Sequence, residues 1–390
     1  MVHPTFFALL RYALDIDSRF DRHPTADEWQ QLYAEAERQS LRGVLYAAVQ
    51  RLDAATAPPL PLALKWARRR ETLRGLNELF NSEAARLTQL FESHGHRTAI
   101  LKGQANARLY PDPLSRQPGD IDIWVDGGRR SVERLLDELG LLEGADTKQV
   151  HHVGLPVSGA AVPVEVHNLP SHGNVNRRTN RALQQWLSEL LDRGTELTPE
   201  GFRVPSVAFA LSMQLSHISQ HLQLEGVGLR QVVDYYMLLR ASTADERREV
   251  GSRLKMLGLR PVAAALMWVL GEVLHLDSSM MLTRPSRRRG RWMLDRIVSG
   301  GNFGMHGDGG QTHGLWQTFV SQRRHHWELM KFCPSEGIAY LRFDAELLWS
   351  LVATIPERIR RRSLRLEGHY DNWYQQRLQQ RMEELLEMED

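Results

Sequence analysis

One stretch of this chain, Gly119-Asp-Ile-Asp-Ile-Trp-Val125, limits its fold more than any other. Ile121, Ile123 and Val125 alternate with Asp120, Asp122 and Trp124, a period of two that marks a strand with one apolar face. The block around it holds the other strand-like runs: Arg97–Leu101, Val150–Val157 and Val162–Leu169, the last two joined by the turn-like Ser158-Gly159. Gly103–Tyr110 and Arg130–Leu141 read as helices between them, and the Pro- and Gly-rich Pro111–Gly119 as a loop. Outside this block the apolar period is helical, so the class is α+β. A small sheet falls in a core at 94–175, between a helical region at 1–93 and another at 176–390.

The helical flanks are readable in some detail. Phe6, Leu9, Leu10 and Ala13 form one stripe. Thr25 followed by Glu28 is a capping-box pattern, opening a helix whose core face is Trp29, Leu32, Tyr33 and Ala36. After Pro58-Pro59-Leu60-Pro61, apolar residues from Leu64 to Leu90 predict one long helix or two end to end. Later helices are expected near 178–193, 206–223, 228–240, 244–257, 260–275, 336–362 and 370–388, with Trp316, Phe319 and Trp327 in the core. Gly300–Gly310 is a Gly-rich loop without the Gly-Lys-Ser/Thr ending of a P-loop; it reads equally as a flap over a ligand or a plain connection.

Composition narrows the function classes. Apolar residues make 42% and charged residues 25%, as in an ordinary globular protein. The net charge of +2 gives no argument for nucleic acid, and the Arg287–Arg291 and Arg358–Arg365 clusters lack interleaved aromatics. A single cysteine, Cys333, excludes an intrachain disulfide and a Cys-rich zinc site and fits a reducing cytoplasm. The first residues have no basic, apolar signal pattern, and no run of about 18 apolar residues predicts a membrane span.

The chemistry concentrates around the alternating strand. Residues two apart on a strand share a face, so Asp120 and Asp122 lie side by side. Adjacent carboxylates repel unless a cation or hydrogen bonds offset the charge. Mg²⁺ suits such a pair, completing its shell with phosphate oxygens and water. Upstream, Lys102-Gly103-Gln104 follows a strand and opens a helix, a place for a phosphate, with Lys102 or Arg116 to neutralise it. Only Lys65, Lys102, Lys148, Lys255 and Lys331 are lysines among 49 basic residues, which makes Lys102 informative. In Val164-Glu-Val-His167, Glu165 and His167 share a face, and Glu165 is positioned as a third metal ligand or general base.

These motifs resemble a known group. Leu-Lys-Gly (residues 101–103), Tyr110-Pro-x-Pro-x-x-Arg116, Gly-Asp-Ile-Asp-Ile-Trp-Val and Val-Glu-Val-His look like the uncharacterised bacterial nucleotidyltransferase family, within the polymerase-β-like superfamily. Gly226–Asp234 and Gly301–Gly304 are similar as well, and the resemblance spans roughly residues 30–350. It implies a small mixed nucleotidyltransferase sheet and a Gly-containing first turn for the triphosphate. It also implies Asp-x-Asp for Mg²⁺ (or Mn²⁺) and a third carboxylate nearby. The expected site is then Asp120, Asp122 and Glu165 for metal and catalysis, with Lys102, Gly103, Gln104 and Arg116 for the nucleoside triphosphate. Two departures stand out. Gln104 replaces the usual Ser or Gly, and Glu165 replaces the commoner Asp. Transfer of the γ-phosphate by the same site and a catalytically silent nucleotide-binding module are the rival readings.

His217 and His221 lie four apart on an expected helix, the spacing of core or capping histidines and also of a metal-binding pair. With His167, Arg230 and Asp234 they are also candidates to line the site of an acceptor whose identity the sequence does not give. His151, His152, His167 and His172 crowd the sheet block, where a zinc site is the minor reading.

Overall fold

The computed structural model describes residues 4–156, 159–224, 226–300 and 315–353. It opens with α1 (Pro4–Ala13), α2 (Ala26–Arg38) and α3 (Arg42–Val49), followed by a single 34-residue helix, α4 (Leu60–Ser93). The capping box at Thr25 and Glu28 is formed, and Trp29, Leu32, Tyr33 and Ala36 are the buried face of α2. At 1.5 Å per residue α4 is about 51 Å long. Pro61 is tolerated in its first turn because the N–H it lacks would have had no partner there.

The sheet block follows as β1 (Thr98–Ile100), α5 (Gln104–Ala107), β2 (Ile121–Val125), α6 (Gly128–Glu138), β3 (His152–Gly154) and β4 (Val164–His167). The strand order is β1-β2-β4-β3. β2 and β4 run parallel, while β1 and β3 pair antiparallel to them, so the sheet is mixed. Ile121, Ile123, Val125, Val164 and Val166 point to the rear, onto Phe80, Leu87 and Phe91 of α4 and Val132, Leu135 and Leu136 of α6. That is the face the alternation assigned to them. Ala99, Leu101 and Trp124 point forward into the larger, mostly helical core. Burying each large apolar side chain contributes about 1.5–3 kcal/mol.

The front is covered by the later helices: α7 (Arg177–Asp192), α8 (Val207–Leu224), α9 (Leu229–Ala241), α10 (Ala244–Arg253) and α11 (Arg260–Leu274). Beyond them lie α12 (Arg287–Gly300), α13 (Leu315–Phe332) and α14 (Pro334–Ala353). No described helix is long and apolar enough to cross a membrane.

Several sequence expectations need correction. The runs Val150–Val157 and Val162–Leu169 shrink to three- and four-residue strands. Pro156 and Pro163 have no N–H to give a ladder, and past His167 the N–H groups of Asn168 and Leu169 turn to the carbonyl of His151. The region after Asn176 is not purely helical: β5 (Thr195–Leu197) and β6 (Arg203–Pro205) form a hairpin. Strands of three residues carry too little alternation for a sequence pattern to catch. The helix expected over 244–257 ends at Arg253. Trp327, expected in the core, is 51% exposed. The side chains of Trp316 and Phe319, the loop from Gly301 to Gly310, and the segments 354–362 and 370–388 lie outside the described residues.

Candidate active site

The site is built by register. In the parallel pairing of β2 with β4, Asp122 stands opposite Glu165 and Trp124 opposite His167. Paired residues on adjacent strands project from the same face, so the two carboxylates are neighbours although 43 positions apart in sequence. Asp120 immediately precedes β2, two residues before Asp122. The β1–β2 ladder runs past β1, with Leu101 N–H donating to the Asp122 carbonyl at 2.9 Å. The next residue, Lys102, therefore emerges beside the aspartates. Its Nζ is 3.1 Å from Asp122 Oδ1 and 3.9 Å from Asp120 Oδ2.

His167 sits between the other two carboxylates. Its Nε2 is 3.0 Å from Asp122 Oδ1 and 3.4 Å from Glu165 Oε2. Burial alone would discharge the Lys102 ammonium, but Asp122, Asp120 and Glu165 outweigh it and hold its pKa up to about 12. Burial likewise lowers His167, and hydrogen bonds to Asp122 and Glu165 reverse this, raising it to about 9. Burial would push Asp122 and Glu165 up; Lys102 and His167 for the first, and His167 and His152 for the second, pull them below the usual carboxylate range. Three carboxylates thus face two internal cations.

In front of Asp120 lies a small recess, lined among others by Lys102, Gly103, Asn106, Asp120, His217 and Arg230. Gly103 adopts φ +65° and ψ −104°, and a Cβ there would approach the Asp120 carbonyl oxygen to 3.2 Å. Glycine is required for that backbone. The helix it opens, α5, is one turn of four residues, so its dipole is a small contribution to anion binding. Asn106 and Gln214 exchange amide hydrogen bonds of 2.9 and 2.7 Å, tying α5 to α8.

The structure separates the expected triphosphate residues. Lys102 and Gly103 border the recess. Gln104 does not: its amide donates to Asn81 Oδ1 at 2.6 Å and Asn77 Oδ1 at 3.3 Å, which turns the side chain onto α4. The Gln104 side chain thus faces away from the recess, unlike Lys102. Arg116 reaches the recess wall but is committed to Asp234 by two parallel hydrogen bonds of 2.8 Å, and Tyr110 Oη donates to the same carboxylate at 2.7 Å. Arg116 is 5% exposed and Asp234 3%, a fully desolvated ion pair. Burial raises Asp234 and lowers Arg116, and their mutual attraction wins in both, so both remain charged. Arg230, on α9, donates to the Gln117 carbonyl at 3.1 Å. With two arginines around one aspartate, that wall is net positive.

The acceptor candidates also divide. Arg230, Asp234 and His217 line the recess. His217 Nε2 is 3.5 Å from Lys102 Nζ and 2.8 Å from His221 Nε2. Burial, then Lys102 and His221, hold His217 well below the ordinary histidine range, so it is neutral. His167, expected beside the acceptor, belongs to the carboxylate cluster. On the far side of that cluster His151 and His152 come within 3.1 Å through Nε2 and Nδ1. Burial, first of all, lowers both, so they too are neutral.

The donor set suits a divalent cation. Asp122, Glu165 and His167 offer ligand atoms that all lie within 4.8 Å of one another. Asp122 Oδ2 is buried without a hydrogen-bond partner, an acceptor that a cation would satisfy. A family profile described as an uncharacterised nucleotidyltransferase matches residues 25–275. The chain belongs to that uncharacterised nucleotidyltransferase family, the class expected from its motifs. Comparison with curated proteins returns no match, and neither does comparison with solved structures.

Sequence reasoning missed two parts of this arrangement. Tyr110 was legible only as a motif position, with nothing to show that it closes on Asp234. The Asn106–Gln214 pair joins residues 108 positions apart. No local pattern signals either contact.

Proposed function

We propose that this protein transfers a nucleoside monophosphate from a nucleoside triphosphate to an acceptor in a divalent-metal-dependent reaction. The observation that carries the reading is the register that puts Glu165 beside Asp122, with Asp120 at the mouth of a recess bordered by Lys102 and Arg230. Asp120, Asp122 and Glu165 are the metal-holding carboxylates, and Mg²⁺ or Mn²⁺ bound there would neutralise phosphate charge. An acceptor hydroxyl attacks the α-phosphorus, the bond to the β-phosphate oxygen breaks, and pyrophosphate leaves. Glu165, partly exposed beside the buried Asp122, completes the metal site or, where no metal holds it, takes the hydroxyl proton. Lys102, with Gly103, binds the outer phosphates, turning from Asp122 once the carboxylates are otherwise neutralised. His217, Arg230 and Asp234 form the acceptor side, with a small hydroxylated molecule, peptide, protein or RNA as the classes to test.

The deciding experiment incubates the protein with nucleoside triphosphates labelled at the α- or the γ-phosphate, mixed candidate acceptors and Mg²⁺ or Mn²⁺. Pyrophosphate release with transfer of the α-label supports the proposal. Release of a nucleoside diphosphate with transfer of the γ-label makes the site a phosphotransferase. Metal-dependent binding with no turnover under any mixture makes it a nucleotide-binding module.

A further inference from the structure

The histidines on the far side of the cluster have no place in the reaction just described. His151 immediately precedes β3 and His152 begins it, and the antiparallel pairing sets His152 directly opposite His167. His172 stacks edge-on against His151, ring centroids 4.8 Å apart. His151 and His152 are hydrogen-bonded to each other, yet neutral imidazoles packed together lose hydration they would otherwise keep.

Several spacings in this cluster approach those of a coordination shell, with His167 common to a group with His151 and His152 and a group with Glu165. One ring nitrogen from each of His151, His152 and His167 can be chosen so that all three lie within 4.8 Å of one another. His151 Nε2 and His152 Nδ1 are 3.1 Å apart, and Glu165 Oε2 is 3.4 Å from both His152 Nδ1 and His167 Nε2. A tetrahedral ion with bonds of about 2.0–2.1 Å has ligand–ligand edges of roughly 3.3 Å. His167 Nδ1 is buried without a hydrogen-bond partner, so the ring is not fixed by a contact at that atom.

We propose that His151, His152, His167 and Glu165 form a transition-metal site of the imidazole–carboxylate type, with Zn²⁺ as its preferred ion, beside the aspartates. Three nitrogens and one oxygen are a borderline-soft donor set, which favours Zn²⁺, Co²⁺ and similar ions and is a poor shell for Mg²⁺. Glu165 is then shared between this ion and the aspartate side. The proposal does not rest on nucleotidyl transfer, since it requires only the donors.

The test uses the full-length protein, stripped with a chelator and titrated with Co²⁺ and Zn²⁺. The expected result is one Co²⁺ per chain with the visible absorption of a four-coordinate imidazole-bound ion, displaced by Zn²⁺ and not by a large excess of Mg²⁺. His151→Ala and His152→Ala should each weaken Zn²⁺ binding by at least about tenfold, the lower bound for losing even an outer partner of a metal ligand. Asp120→Asn should retain the absorption. X-ray absorption of the Zn²⁺-loaded parent, which needs no variant, should count three imidazoles. The proposal is overturned by absent Co²⁺ absorption, by displacement with Mg²⁺, by unchanged Zn²⁺ affinity in either histidine variant, by loss of the absorption in Asp120→Asn, or by fewer than three imidazoles on zinc. Mg²⁺-dependent triphosphate binding, measured separately, reports on the nucleotidyltransferase reading, so the two fail independently.

Discussion

Lys102 has a compact ammonium wedged between two aspartates and a neutral histidine. Arginine would bring a wide planar fork into that space and could not pivot as freely between carboxylate and phosphate. Lys102→Arg should therefore weaken triphosphate binding, and Lys102→Ala should weaken it by about ten- to a hundredfold, the ~1.5–3 kcal/mol of a charge-assisted hydrogen bond. Monophosphate binding should change less; equal losses for both nucleotides in a titration would point to general damage instead. Asp122→Asn should abolish the Mg²⁺-dependent part of nucleotide binding with the far-UV spectrum intact, and unchanged affinity with and without Mg²⁺ would refute the metal role. Asp234 tests the buried ion pair. Its pKa is depressed below 3.8, so the stability it contributes is full above that value and is lost as pH falls through its folded value. Asp234→Asn should be less stable by about 3–5 kcal/mol at neutral pH, because Arg116 is left uncompensated. Denaturant titrations across pH should also show the variant losing less stability than the parent below about pH 4. At this scale the sequence revealed the paired aspartates, because period two needs no partner to be read. It could not reveal that Gln104 turns onto Asn77 and Asn81, or that Arg116 is taken by Asp234, since those contacts come from other helices, α4 and α9.

Among the elements, the turn between β1 and α5 depends on a single residue, Gly103. Gly103→Ala would keep the sequence pattern but force a Cβ against the Asp120 backbone in a left-handed conformation. A cost of about 1–3 kcal/mol is expected, with loss of metal-dependent binding beyond what the lowered melting temperature explains, because Asp120 itself is pushed. Calorimetry and a triphosphate titration on the same variant check both parts, and a variant as stable and as active as the parent would remove the glycine requirement. The elements were unevenly legible. The strand at Ile121–Val125 and the capping box at Thr25 were readable because their signals are local. The parallel pairing of β2 with β4 was not, because register is set by how two distant segments share a core. That pairing also decides the role of His167: its own strand shows only that it shares a face with Glu165, and the partner strand adds Asp122. The β5–β6 hairpin was invisible for a different reason, three residues being too few to show a period.

At the scale of the molecule, α4 belongs to both cores. Leu62 and Trp66 near its start lie in the helical core, whereas Phe80, Ala84, Leu87 and Phe91 near its end form the rear wall of the sheet. The change in sequence pattern expected at residue 93 thus falls at the end of a helix that packs into both cores. A fragment beginning at residue 94 should fail to fold, and rapid proteolysis of its sheet region would show it; a protected, cooperatively melting fragment would contradict the account. Large-to-small changes at such wall positions cost about 2–5 kcal/mol each, and the fragment loses four of these side chains at once. The same geometry constrains how such a chain can be recombined. A sheet whose back is supplied by the helix before it cannot be lent to another protein as a self-contained cassette. Any gene fusion or exchange that carried the carboxylates elsewhere would have to carry that helix with them, and the helix would bring along one end already shaped for a different partner.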